Sequence, residues 1–177
     1  MKGLGRWLRS GTLTIEPDFA RIKIVSDSQE DFVYFYEMKE SDWGFVYEKY
    51  VAQVLTNEGY DVLAQGLEKG FCDCGIDLIA KKSGSSIFIQ CKFTAKSKLS
   101  HRKIESILYK TSSFLAKIYE GEKLEFWLVV PSLEKAFSSK KSPLGRNTYP
   151  VADYFLSKNT LQSKVRLSIR EIEMVRY

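Results

Sequence analysis

Two strand-like segments, Ile76–Lys81 and Ile87–Phe93, flank Ser83-Gly84-Ser85, and this arrangement constrains the fold more than any other feature of the chain. The central triplet is a hairpin signal, because such residues accept the tight turn that joins antiparallel strands. A two-residue turn at Ser83-Gly84 sets Lys82 opposite Ser85 and Asp77 opposite Gln90; a four-residue loop sets Asp77 opposite Lys92. Opposed residues share a face, as do residues two apart on one strand. Either register therefore gathers Asp77, Gln90 and Lys92 into one polar cluster, whereas a three-residue loop would break the alignment unless a bulge restored it. The alternate face, with Ile76, Leu78, Ala80, Ile87, Ile89, Cys91 and Phe93, reads as core. The polar trio lies on the second face beside Ile79 and Phe88. Charges in such positions are costly unless paired or used. An Asp77–Lys92 ion pair on a solvated sheet face is the alternative to a functional cluster.

The flanking segments place this hairpin in a larger unit. Trp43, Val46, Tyr47, Tyr50, Val51, Val54 and Leu55 recur at helical spacing, with Ser41 or Asp42 as a cap and Gly59 past the end. Tyr60–Ala64 reads as a strand, followed by a loop rich in glycine and charge up to Gly75. After the hairpin, Ser100 caps a second helix carrying Ile104, Ile107, Leu108, Phe114, Leu115 and Ile118, with Gly121 at its end. Leu124–Val130 is a near-continuous apolar strand stopped by Pro131. Before this core, Thr12–Ile15, Ala20–Val25 and Phe32–Tyr36 alternate and form a small antiparallel meander. Beyond it come a basic loop (Ser138–Asn147), a short helix near Val151–Leu156 and a last strand around Val165–Ile169. The expectation is a single α/β domain over 1–177, with a helix-strand-strand-strand-helix-strand core at about 42–131 and decorations at 1–41 and 132–177.

Several chemistries are excluded by residue type. His101 is the single histidine among 177 residues, so a His-rich zinc centre is impossible and a Ser-His-Asp triad would have to use it. Three cysteines cannot build a disulfide framework, and Cys72-x-Cys74 is too tight for a zinc knuckle and has no second pair. No Walker loop or GxGxxG motif follows a strand. Apolar runs fall short of the roughly 18–20 residues that span a bilayer, and early charges interrupt any signal-peptide core. A reducing cytoplasm is the expected setting, with no membrane partner and no organic cofactor. An enzyme built this way works with carboxylates, lysines and a hard metal ion.

The net charge of +5 is unevenly spread. Residues 16–43 hold eight acids against three bases, whereas seventeen Lys or Arg oppose eight acids from Lys92 onward. The densest stretch is Lys92, Lys96, Lys98, Arg102, Lys103 and Lys110, opposed by Glu105 alone. A basic stripe of this kind suits a polyanion, nucleic acid above all; a solvated helix face is the plainer alternative. Within it, Lys96, Lys98, His101, Arg102 and Lys103 are the candidate phosphate contacts. The aromatic run Tyr34, Phe35 and Tyr36 could stack bases, but such residues more often pack a core.

Gly75-Ile76-Asp77-Leu78-Ile79-Ala80 followed by Ile89-Gln90-Cys91-Lys92 resembles the PD-(D/E)xK nuclease superfamily. The sequence is similar above all to its Mrr-like restriction endonuclease branch, which has Gln where most members have an acid. The resemblance covers about residues 43–131, and Glu48 sits in the first helix where the family often has a Glu. It implies a restriction-endonuclease-like core, a mixed central sheet flanked by helices, and a metal-dependent phosphodiesterase acting on DNA. Asp77 would bind Mg²⁺ or Mn²⁺ together with the main-chain carbonyl of Cys91, hard oxygens for a hard cation. Gln90 would add a neutral oxygen or orient a water, Lys92 would offset charge in the transition state, and Glu48 could supply the carboxylate that Gln90 lacks. Asp73-Cys74 departs from the pattern, since relatives often have Gly at the position of Cys74; Asp73 reads more as a loop cap than as a ligand. Cutting both strands with one site per chain suggests a homodimer. The competing readings are a non-catalytic nucleic-acid-binding module with this fold and a protein-interaction domain whose acidic N-terminal segment docks a basic partner.

Overall fold

The computed structural model describes Leu4, Leu8, Arg9 and residues 11–27, 29–65, 75–94, 97–118, 124–162 and 165–175. Asp73, Cys72, Cys74, Lys96 and Gly121 lie outside the described residues.

Alternation in the N-terminal segment produces the expected meander, in which β1 (Thr12–Glu16), β2 (Arg21–Ser26) and β3 (Gln29–Tyr34) pair antiparallel in that order. Leu13, Ile22, Ile24 and Val33 point inward and are buried, as period-two patterning requires. The third strand begins and ends earlier than the expected Phe32–Tyr36, because Gln29 pairs opposite Ser26 directly after the turn. Phe35–Glu37 is a 3₁₀ turn instead, with the Glu37 carboxylate accepting the Tyr34 N–H at 3.2 Å. The first long helix, α1 (Glu40–Asn57), starts ahead of both expected caps. Asp42 instead reaches back from the first turn and accepts the Lys39 N–H at 2.8 Å, which satisfies a donor that the helix itself leaves open. Trp43, Val46, Tyr47, Val51 and Leu55 are buried along one stripe, each contributing about 1.5–3 kcal/mol. Gln53 locks the helix to the meander, since its amide bonds both the N–H and the carbonyl of Leu13.

A short β4 (Asp61–Leu63) leads to the hairpin of β5 (Leu78–Lys82) and β6 (Ser85–Cys91). Ser83 at φ 51° and Gly84 at φ 81° are both left-handed, the conformation of a two-residue type I′ turn. Lys82 accordingly faces Ser85 and Leu78 faces Ile89. Helix α2 (His101–Ile118) follows, and then β7 (Leu124–Val130), which runs parallel to β6. Its near-continuous apolar sequence is what a strand covered on both faces needs. The C-terminal part adds α3 (Leu133–Ala136), the small pair β8 (Lys140–Lys141) and β9 (Asn147–Thr148), α4 (Pro150–Gln162) and β10 (Val165–Glu171).

The central sheet has the order β10-β7-β6-β5-β4, parallel at β10/β7/β6 and antiparallel at β6/β5/β4. It is the mixed α/β sheet of a restriction-endonuclease-like fold. One core lies between this sheet and α1 with the meander, joining Leu78, Ala80, Ile87, Ile89 and Cys91 to Val46, Tyr47, Val51 and Leu55. A second core lies on the opposite face, where Ile79, Phe88, Phe126 and Leu128 meet Ile104 and Leu115 of α2 and Phe155 of α4. Two expectations are corrected here. Ile76 packs with the second core, because β5 begins at Leu78 and the chain before it leaves the strand alternation. The second face of the hairpin is covered by α2 and α4, so Asp77 does not stand on a solvated sheet face. No helix among the described residues is long and apolar enough to cross a membrane.

Candidate active site

The end of the hairpin opposite its turn is where the polar residues converge. Gly75 turns the chain at φ 81°, a conformation that glycine adopts without the cost a side chain would bring. It is also close to its neighbours: a Cβ there would lie 3.6 Å from Thr111 Oγ1 and 3.8 Å from both amide heavy atoms of Gln90. The chain then passes Ile76 and reaches Asp77, whose N–H donates to the Ile89 carbonyl at 2.8 Å. The Asp77 carboxylate accepts the Cys91 N–H through Oδ2 at 2.7 Å. A carboxylate held by a main-chain donor in this way has a fixed aim, and the bond is charge-assisted.

Asp77 is 4% exposed and Gln90 7% exposed. Gln90 Oε1 is buried with no hydrogen-bond partner, an arrangement that costs about 1–3 kcal/mol when nothing binds it. Glu48 approaches from α1, half-buried and with Oε2 shielded from solvent. The thiol of Cys91 registers how these groups are gathered. Burial pushes it well above its usual range, the negative charges of Asp77 and Glu48 push it further, and Lys92 pulls it back. Three of the sequence candidates thus act on one atom of the fourth. The Cys91 side chain packs into the core between the sheet and α1, which leaves its main chain rather than its sulfur as the candidate donor. Lys92 follows as β6 ends, its N–H donating to Val129 O at 2.8 Å, and its half-buried side chain lines a cleft of about 420 Å³.

The basic stripe divides into distinct environments. Lys103 lines the same cleft as Lys92, with Nζ donating to Ser97 Oγ at 3.2 Å. Lys98 is exposed, its Nζ donating to the carbonyls of Glu134 at 2.9 Å and Phe137 at 2.7 Å around α3. His101 packs its ring against Tyr154 and Phe155, with centroids 4.8 and 4.5 Å away, and its Nδ1 lies 3.4 Å from Glu105. Arg102 is exposed. The structure therefore brings Glu48, Asp77, Gln90, Cys91 and Lys92 together, puts Lys103 beside them, and gives Lys98 and His101 intramolecular partners.

Two hydroxyls here went unnoticed in the sequence. Thr94 and Thr111 are 9% and 1% exposed, and neither Oγ1 has a hydrogen-bond partner. Thr111 could have been found, since it interrupts the apolar stripe of Ile104, Ile107, Leu108 and Leu115 at a helical interval.

Two carboxylates, an amide oxygen and a carbonyl are hard donors of the kind that Mg²⁺ and Mn²⁺ prefer, and the unsatisfied Gln90 oxygen fits such an ion. No group of three or more His, Cys, Asp or Glu side chains arranged for a metal occurs among the described residues, which leaves the amide and the main chain to complete this set. Residues 46–122 match the model of a family described as restriction endonuclease. The match runs from α1 through α2 and includes every residue of the cluster, so this segment is of the Mrr-like PD-(D/E)xK nuclease type that its motifs resemble. No curated protein matches the chain.

Proposed function

We propose that this restriction-endonuclease segment makes the chain, as one domain, a divalent-metal-dependent endonuclease that hydrolyses DNA phosphodiester bonds and works as a homodimer in restriction, repair or recombination. The observation that carries the reading is the buried Asp77–Gln90 pair at the open end of the hairpin, aimed by the Cys91 N–H and adjoined by Lys92 at the mouth of a cleft. A fold that had given up catalysis has no reason to keep an unsatisfied buried oxygen and a buried acid side by side.

Asp77, Gln90, Glu48 and the Cys91 carbonyl would hold Mg²⁺ or Mn²⁺, which supplies Lewis acidity toward the phosphate and its attacking water. The remaining work belongs to the chain. Asp77 keeps its aim because its other partner is main chain. Lys92 places a positive charge where negative charge grows on the phosphoryl oxygens, and half-burial makes that charge act more strongly than it would in water. Lys103, on the same cleft, adds a second positive charge near Lys92. The test is nicking of supercoiled plasmid with Mg²⁺, with Mn²⁺ and with chelator, beside Lys92→Ala. Metal-dependent nicking lost in the variant is the expected result. Equal nicking by both proteins, or none with either metal, would overturn the reading.

A further inference from the structure

We propose that the cleft beside Lys92 holds one unpaired nucleobase, so that the preferred substrate is DNA carrying an unpaired nucleotide next to the bond to be cut. This rests on the nuclease reading above and deepens it.

The lining of the cleft is wrong for a phosphate track and right for a heterocycle. A groove that follows a sugar-phosphate backbone needs cations and main-chain donors. Here Lys92 and Lys103 share the cleft with three apolar side chains, Phe93, Leu99 and Ile107, and with the carboxylate-bearing Glu40 at the start of α1. A carboxylate repels phosphate but accepts from the amino edge of a base. Phe93 is held firmly from the core side, its ring stacked on Trp43 at 6.2 Å and 18° and tilted against Tyr47 at 5.6 Å. A fixed apolar wall is what a base needs to stack on.

Thr94 supplies the second observation. Thr94 lines the cleft and is more than nine-tenths buried, and its hydroxyl has no hydrogen-bond partner. A buried hydroxyl of this kind lacks a partner that a ligand would bring. The volume of about 420 Å³ lies within the range of sites that enclose a small flat molecule. A base inside a duplex is stacked above and below and presents only its edges. Only a base outside the stack offers the faces that Phe93, Leu99 and Ile107 could cover. Because Lys92 belongs both to the cluster and to the cleft, that base is on a nucleotide flanking the scissile phosphate.

The experiment measures binding in chelator, where no cutting occurs, by fluorescence anisotropy. Three labelled DNAs of the same length are compared: a fully paired duplex, one with a single extra adenosine, and one with an extra abasic residue at the same place. The adenosine bulge should bind about tenfold or more tightly than the other two. Ser106→Trp, on the exposed face of α2 at the cleft, should fill the site and abolish that preference while leaving the affinity for paired duplex within about twofold. Equal affinity for base and abasic bulges, or an undiminished preference in Ser106→Trp, would overturn the proposal. Plasmid nicking by the same preparation separates the two readings. Nicking without base preference removes the base site and leaves the nuclease; base preference without nicking does the reverse. Binding to none of the three DNAs overturns the base site, and the nicking assay alone then decides the nuclease reading.

Discussion

Replacing Asp77 tests structure and chemistry with two variants that should part company. In Asp77→Ala the buried Cys91 N–H loses the acceptor it now has at 2.7 Å. A buried donor left unsatisfied costs about 1–3 kcal/mol, and the bond lost is one to a charged group, so the upper half of that range is expected. In Asp77→Asn a side-chain carbonyl oxygen stays in place, and the loss should fall below about 1 kcal/mol. Metal binding separates the wild type from both. An ion that binds the folded state alone stabilises it by about 1.4 kcal/mol at a concentration ten times its dissociation constant. The assay is urea unfolding followed by tryptophan fluorescence, since Trp43 and Trp127 are buried. It is run in chelator and in millimolar Mg²⁺, with plasmid nicking in parallel. The wild type should gain stability from Mg²⁺ and neither variant should; neither variant should nick. An Asp77→Ala protein as stable as wild type would show that the Cys91 N–H is not held by this carboxylate. An Asp77→Asn protein that nicks at the wild-type rate would remove Asp77 from the chemistry.

Lys92→Ala should bind DNA within a few-fold of wild type yet lose nicking by two or more orders of magnitude, read by anisotropy and gel assay together. Glu48→Gln keeps shape, so its unfolding midpoint should hold while the nicking rate falls about a hundredfold; an unchanged rate would take Glu48 out of the donor set. DNA affinity should fall with salt at a log–log slope of roughly −3 to −6, and salt-independent binding would contradict phosphate contact. Stability should also fall at alkaline pH. Burial first, then Asp77 and Glu48, raises the Cys91 thiol well above its ordinary value of 9.0, so above about pH 9 the unfolded chain sheds a proton that the folded chain retains. That loss should be absent in Cys91→Ala, as measured by urea midpoints from pH 7 to 10.

The hairpin was legible because its information is local. Ser83-Gly84 admits two left-handed residues in a row, and that choice alone fixes which residues face each other. Once Lys82 faces Ser85, Leu78 faces Ile89, and Asp77, just beyond the paired strand, is tied to the end of β6 by its bonds with Ile89 and Cys91. The helices were legible for the same reason, their apolar stripes being set by a short repeat. What the sequence left open is tertiary. Whether Asp77 and Gln90 look into solvent or into a second core depends on α2 and α4, whose residues lie far along the chain. The fate of each lysine was equally hidden. Lys98 finds the carbonyls around α3 only because the chain returns there after β7. His101 meets Tyr154 and Phe155 only because α4 docks beside α2. A charge run reports that cations are present, and the fold decides which of them find partners within the chain.

The second core also gives a physical reason for the amide at position 90. Gln90 stands where Gly75 and Thr111 close around it, nearly out of reach of water. A carboxylate there would join Asp77 as a second buried negative charge, and whenever the ion is absent their repulsion and desolvation would together cost several kcal/mol. An amide keeps a hard oxygen pointing the same way and adds no charge. The carboxylate that the donor set still needs can come from Glu48, on a helix packed against the other face and only half-buried, where part of its hydration survives. Cys91 between them feels Asp77 and Glu48 together, so the two negative charges converge on the strand end from different elements. On the proposed reading, dividing the donors in this way would let the hairpin end stay buried and folded without an ion, and would leave the ion's positive charge to be met by acids that were already tolerated.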